Sequence, residues 1–136
     1  MLCFYEQTVA QHINELTNTV MNNFTKSHPH TLNVQWQVRD SNFIATFTEN
    51  NINIQKTYNY QGKLLKTKIE IDESFLPKST YDYVAKYRAL NKIEKAYKVI
   101  NENNIFSYLV EINKWSLYFD ENGHFVNETS RILDLK

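Results

Sequence analysis

Four histidines are the side chains of this 136-residue sequence best suited to hold a metal or move a proton near neutral pH. His28 and His30 flank Pro29, while His12 and His124 stand far away in sequence. Zinc takes three or four ligands, usually Cys or His in close pairs. A single His-x-His in a helix-to-strand loop falls short of that, so solvated loop histidines and no metal are expected. Asp120-Glu121-Asn122-Gly123 has the look of the start of a calcium loop. A calcium loop needs further oxygen ligands and a distant bidentate glutamate. Here strand-like Phe125 and Val126 follow directly, which predicts a hairpin turn instead.

Carboxylates and the lone thiol fare no better. Glu70, Asp72 and Glu73 could do acid-base work if one of them were desolvated. Their neighbours Lys66 and Lys68 predict a solvated strip of mixed charge. Cys3 has no basic or histidine neighbour to favour its thiolate, and as the one cysteine it has no disulfide partner within the chain. Nucleophile-elbow, phosphate-loop and dinucleotide fingerprints all need grouped glycines, and the chain has two isolated ones. Asn23-Phe24-Thr25 and Asn127-Glu128-Thr129 match glycosylation sequons, which a bacterial origin would empty of meaning. The expectation is a protein that is not an enzyme and carries no cofactor.

Composition narrows the partners. Fifteen basic and fifteen acidic residues cancel, so nothing draws the chain generally to phosphate backbones or anionic lipid. No apolar run reaches the length of a membrane span, so no nucleic acid and no membrane insertion are expected. Eight Phe, nine Tyr and two Trp predict a core built largely from rings. Met1 to Tyr5 has no basic stretch, long apolar run or cleavage site, so it is not a signal peptide as written. The length suits one domain over 1–136.

The elements that must position any site read clearly. Val9, Ile13, Leu16, Val20 and Phe24 recur on one helical face, which Pro29 terminates. From Leu32 the period falls to two, with Leu32, Val34, Trp36 and Val38 on one face. Phe43 to Thr48, Ile52 to Tyr60 and Leu64 to Asp72 follow as strands, separated by Asp40-Ser41-Asn42, Glu49-Asn50-Asn51 and Gln61-Gly62 turns. Leu76-Pro77 opens a second helix, with Ser79 and Asp82 as a candidate capping box and Tyr83, Val84, Tyr87 and Leu90 as its apolar face. Strands are then expected over Ile93 to Glu102, Phe106 to Ile112 and Trp115 to Phe119, and a short one through Phe125.

Helix and meander therefore occur twice, in halves of approximately 6–72 and 76–127. Gly62 and Gly123 each fall in the last hairpin turn of a half. That offset sets Trp36 on Tyr97, Ala45 on Phe106 and Phe47 on Tyr108 as matched buried positions. The fold expected is α+β: one curved antiparallel sheet of about eight strands, with two helices packed on one face.

From Val20 to Asn127 a succession of motifs resembles a known family. It runs through Phe24 before Pro29, Trp36, Phe43-Ile44-Ala45-Thr46-Phe47 and Tyr60-Gln61-Gly62-Lys63-Leu64. Leu76-Pro77, Tyr87 and Leu117-Tyr118-Phe119-Asp120-Glu121-Asn122-Gly123 continue it. The succession is similar to that of PepSY-like proteins with a β-lactamase-inhibitor-protein-like (BLIP-like) fold, built from two half-repeats. The resemblance implies helices on one side of an antiparallel sheet, export to the periplasm or cell surface, and no known catalysis. Asn59-Tyr60-Gln61-Gly62 departs from it, since an acidic residue usually precedes the glycine.

If Leu32, Val34, Trp36 and Val38 face the helices, then Gln35, Gln37, Arg39, Thr46, Thr48, Gln55, Thr57, Lys66 and Lys68 face away from them. This broad, neutral, hydrogen-bonding face, with Ile44 among it, suits a protein partner, and the family's namesake inhibitor binds its target through its sheet. The alternative expectation is a small-ligand carrier or sensor, with Trp36, Phe47, Tyr97 and Tyr108 lining a pocket between helices and sheet.

Overall fold

The computed structural model describes residues 18–131. Cys3, His12 and the helical positions Val9, Ile13 and Leu16 lie outside the described residues. Eight strands follow one another in order through a single antiparallel sheet, and two helices accompany them, an α+β architecture. The chain divides into two compact units, the first ending at Lys66 and the second beginning at Thr67.

In the first unit residues 18–27 form helix α1, followed by β1 (Gln35–Arg39), β2 (Asn42–Glu49) and β3 (Ile52–Tyr58). Asp40-Ser41 and Asn50-Asn51 turn the hairpins with positive φ at both residues, the geometry that matches the natural twist of paired strands. The register places Trp36 opposite Ala45, and sets Phe43 against Tyr58 and Phe47 against Ile54. These residues share the face that Val20 and Phe24 of α1 cover, giving a core of Phe24, Phe43, Phe47 and Tyr58 rings. Phe24 meets Trp36 and Phe47 edge-on at centroid distances of 5.5 and 5.1 Å. Leu32, expected in the first strand, is 80% exposed. Asn33, at φ 60°, breaks the extended chain just after it, so pairing starts only at Gln35. Val38 is also exposed because β1 is an edge strand.

The second unit begins within β4 (Leu64–Ile71). Asp72 then caps a short 3-10 turn, Glu73–Phe75, by accepting from the Ser74 amide. Helix α2 (Lys78–Tyr87), β5 (Lys95–Asn101), β6 (Phe106–Ile112), β7 (Trp115–Phe119) and β8 (Phe125–Ser130) complete it. Val84 of α2 packs with Leu76, Ala96, Val110, Ile112, Leu117 and Phe119. The expected Ser79–Asp82 capping box does not form. Pro77 is the N-cap, and Ser79 Oγ instead donates to the Asn122 carbonyl at 2.7 Å, a longer-range tie between helix and turn. Asp82 pairs with Lys78 one turn away. Leu90, placed by periodicity on the helix's apolar face, is fully exposed, and Tyr87 is mostly so. The helix has already ended at Tyr87, where the Arg88 amide bonds the Val84 carbonyl. β8 continues to Ser130, beyond the short strand expected.

One turn recurs three times. Asn59, Asn101 and Asp120 each accept, through one side-chain oxygen, the amides two and four residues on, at 2.9–3.0 Å. Gly62, Asn104 and Gly123 take the left-handed position of the respective turns, at φ 85°, 61° and 81°. Asparagine tolerates that conformation, so the middle copy needs no glycine. This explains why matching the two glycines misplaces Tyr97. The β5–β6 connection carries the five-residue turn, whereas β1–β2 is joined by two residues, so one offset does not hold along both halves. Ala96 faces the second core, and Tyr97 therefore points to the opposite face, unlike Trp36.

Candidate functional site: the sheet faces turned away from the helices

In the first unit, alternation places Gln35, Gln37, Arg39, Thr46, Thr48, Gln55 and Thr57 on the face opposite α1. They stand in cross-strand rows, Gln35–Thr46–Gln55 and Gln37–Ile44–Thr57. Gln55 Nε2 donates to Thr46 Oγ1 at 3.5 Å, and Thr48 Oγ1 lies 3.2 Å from Asn53 Oδ1. Asn53 belongs to this face by register and was missed by the sequence reading, though its alternation with Ile52 and Ile54 could have found it. Thr57 needs correction: it is 9% exposed, because β3 is flanked by strands on both sides and its side chain sinks beside Ile44. Lys66 is exposed near the end of the first unit, while Lys68 belongs to the second.

The second unit's corresponding face has a different chemistry. A row of Tyr97, Leu109, Tyr118 and Asn127 crosses β5 to β8, and Lys95, Glu111, Ser116 and Thr129 form the next row. Lys68 Nζ stands 4.2 Å from the centre of the Tyr97 ring and 3.9 Å from Glu111 Oε1. Glu70 lies 4.0 Å from Lys95. Arg131 bridges Glu94 at 2.8 Å and Glu111 at 3.6 Å. Burial above all, helped by the Glu111 and Glu70 carboxylates, pushes the Tyr97 phenol up to about 12. The row is an aromatic and aliphatic centre bordered by paired charges, the arrangement that concentrates binding energy in protein interfaces. Sequence reasoning missed it because Tyr97 had been matched to a core position.

The chemical candidates resolve into structural roles. Glu70 pairs with Lys95 and Asp72 caps a turn, its carboxyl held below the usual range by the Ser74 hydrogen bonds. Asp120 is the acceptor of the third five-residue turn, and the amide of His124 chiefly keeps its pKa low. His28 is not a solvated loop residue. It stacks on Phe24 at 4.8 Å and packs on Phe47 at 5.0 Å, with Nδ1 3.5 Å from Glu49 and Nε2 buried. Burial and then Lys56 hold its pKa below the ordinary histidine value, against the pull of Glu49. Among the described residues no three His, Cys, Asp or Glu side chains gather as a metal site, and no helix is long and apolar enough to cross a membrane. Of the rings expected to line a carrier pocket, Trp36 and Phe47 pack in the core under α1 of the first unit, while in the second unit Tyr97 lies on the other side of the sheet from Tyr108.

No protein-family model and no curated protein matches the sequence. Solved structures share its fold. A candidate periplasmic protein from Bacteroides eggerthii matches with TM-score 0.74 at 11% identity, over 82% of this chain and 86% of that one. A DUF2874 family protein from Bacteroides ovatus matches at TM-score 0.71 and 16% identity, over 82% and 85%. A BLIP-like protein from Bacteroides fragilis matches at 0.65 and 15%, over 83% and 84%. At these identities the likeness establishes a shared BLIP-like fold.

Proposed function

We propose that this chain is a non-catalytic binding or inhibitory module of the bacterial envelope, acting on a protein partner through the sheet faces turned away from its helices. The observation that carries this reading is the pair of contrasting open faces. One is a polar lattice of Gln35, Gln37, Thr46 and Gln55, and the other is the Tyr97–Leu109–Tyr118 row edged by Lys68, Glu111 and Arg131. Half-exposed tyrosines beside paired charges suit protein recognition better than chemistry, because every carboxylate among them already has a basic neighbour. Fold-sharing with a BLIP-like protein and with a candidate periplasmic protein supports the class and the location. The matched helix–turn ties, Asn23 Nδ2 to the Gly62 carbonyl and Thr80 Oγ1 to the Gly123 carbonyl, support a duplicated PepSY-like half within one domain. The test is affinity capture from bacterial envelope extract, using the intact protein beside a folded Gln37→Ala, Thr46→Ala, Lys68→Ala variant. Saturable capture lost in the variant supports the reading; equal capture by both sinks it.

A further inference from the structure

At one end of the second unit's sheet lies an open surface pocket of about 330 Å³, at the small end of ligand-site volumes. Its walls come from Ile105 just before β6, Phe106 and Ser107 at the start of β6, Tyr118 and Phe119 at the end of β7, and Val126 in β8. Asp120 and Glu121, from the β7–β8 turn, line it as well. The register shifts at Tyr118/Phe119, which leaves Val126 outside the pairing and turns this site into a bulge. Ile105 and Val126 are left more than half exposed, at 55% and 61%, and offer apolar surface to a neighbouring side chain.

The charge of the site is mainly negative, with His124 Nδ1 3.8 Å from Asp120 Oδ2 as its basic neighbour. Asp120 stays ionised because its Oδ1 accepts the Asn122 and His124 amides, and Glu121 is exposed in the turn beside it. Lys98 Nζ lies 4.3 Å from the Phe106 ring centre, on the face of the sheet opposite Tyr118. An incoming charge on the Tyr118 side would therefore be drawn to the carboxylates. A narrow apolar wall ending in carboxylates complements a side chain with an apolar stem and a cationic tip. Arginine fits better than lysine: its planar guanidinium stacks on an aromatic face such as Tyr118 and meets a carboxylate through two donors.

We propose that this pocket is an anchor site for an arginine side chain presented by the partner protein. The stem lies against Ile105 and Val126 beside Ser107, and the guanidinium sits between the Tyr118 ring and the carboxylates of Asp120 and Glu121. This rests on the reading of the chain as a protein-binding module and adds to it the chemistry that the partner must display.

The probe is N-acetyl-arginine N-methylamide, titrated into the full chain at millimolar concentration while backbone amide NMR shifts are followed. The expected result is saturable shifts at residues 105–107, 118–121 and 126. The corresponding norleucine and lysine amides, and guanidinium chloride alone, are expected to bind several-fold more weakly. Glu121→Gln should weaken binding roughly twofold to fivefold, the range for an exposed ion-pair partner. Val126→Trp should abolish it by filling the pocket, with unchanged shifts elsewhere showing that the variant is folded. Absence of saturation, equal binding of norleucine amide or of guanidinium alone, or an unaffected Glu121→Gln variant would overturn the assignment. Envelope capture is independent of this titration: retained capture with no arginine binding would remove the anchor site and leave the binding module standing.

Discussion

The two units differ in whether rings also stand on the face turned away from the helix. In the first, Phe24, Phe43, Phe47 and Tyr58 are all buried under α1, and the opposite face holds amides and hydroxyls. In the second, Leu76, Val84, Val110, Ile112 and Leu117 fill most of the core, Phe119 being its one fully buried ring. There Tyr97 and Tyr118 have moved to the open face. Similar helix-and-meander frames can thus be filled in different ways. A core accepts rings or aliphatic groups so long as volume and burial are kept. On the function proposed above, the rings on the second unit's open face are the ones that would meet a partner.

Core truncations should break this comparison most severely. Phe47→Ala is expected to cost about 3–5 kcal/mol and Leu117→Ala about 2–5 kcal/mol, read from urea unfolding at neutral pH. Truncating the open-face Tyr118 instead should cost far less stability, since its ring is more than a third exposed.

The turn glycines come next. A side chain at φ near +80° carries about 1–2 kcal/mol of backbone strain in either unit. The neighbours then separate the two positions. A Cβ on Gly123 would stand 2.5 Å from Pro77 Cβ, part of a rigid ring, whereas on Gly62 it would meet the amide tip of Asn23, which can swing away. Gly123→Ala should therefore lower the melting temperature more than Gly62→Ala, and the opposite order would mean that the Asn23–Gly62 tie is the tighter one.

Smaller effects should appear with pH, on the acid side from the first unit and on the alkaline side from the second. His28 has its folded pKa held below 6.5, so the unfolded chain takes up the proton more readily. The stability this provides is complete above pH 6.5 and is lost as pH falls through the lowered folded value. Thermal melts between pH 7.5 and 5 should decline for the intact chain, and less steeply for His28→Leu. In the second unit the shift runs the other way. The Tyr97 phenol, at about 12, keeps its proton where an unfolded tyrosine has lost it, so its contribution is complete below pH 10 and disappears as pH rises towards 12. Ultraviolet titration should show one tyrosine ionising last, and Glu111→Gln should bring it down, because one of the carboxylates opposing ionisation is gone.

Much of the frame was readable from periodicity. Alternation alone assigned Gln35, Gln37, Thr46 and Gln55 to one face, and the register agrees residue by residue. Gly62 and Gly123 marked true hairpin turns. What failed were features decided by loop length and end geometry. Leu32 continues an alternation that the left-handed Asn33 cuts off. Leu90 continues a helical spacing after the helix has ended. Asn104 stands in for a glycine, which hid the longer turn between β5 and β6 and left Tyr97 on the wrong face of the reading. His28 looked like a loop residue because its contacts with Phe24 and Phe47 become visible only when helix and sheet meet.

The central claim, that recognition uses the open sheet faces, is tested most directly by site-specific photocrosslinking in envelope extract. A photoreactive residue would replace Thr46, Tyr118 or, on the outside of α2, Lys86. The account predicts one shared crosslinked partner from Thr46 and Tyr118 and none from Lys86. Crosslinking of that partner from Lys86 alone would contradict it and move recognition to the helical side.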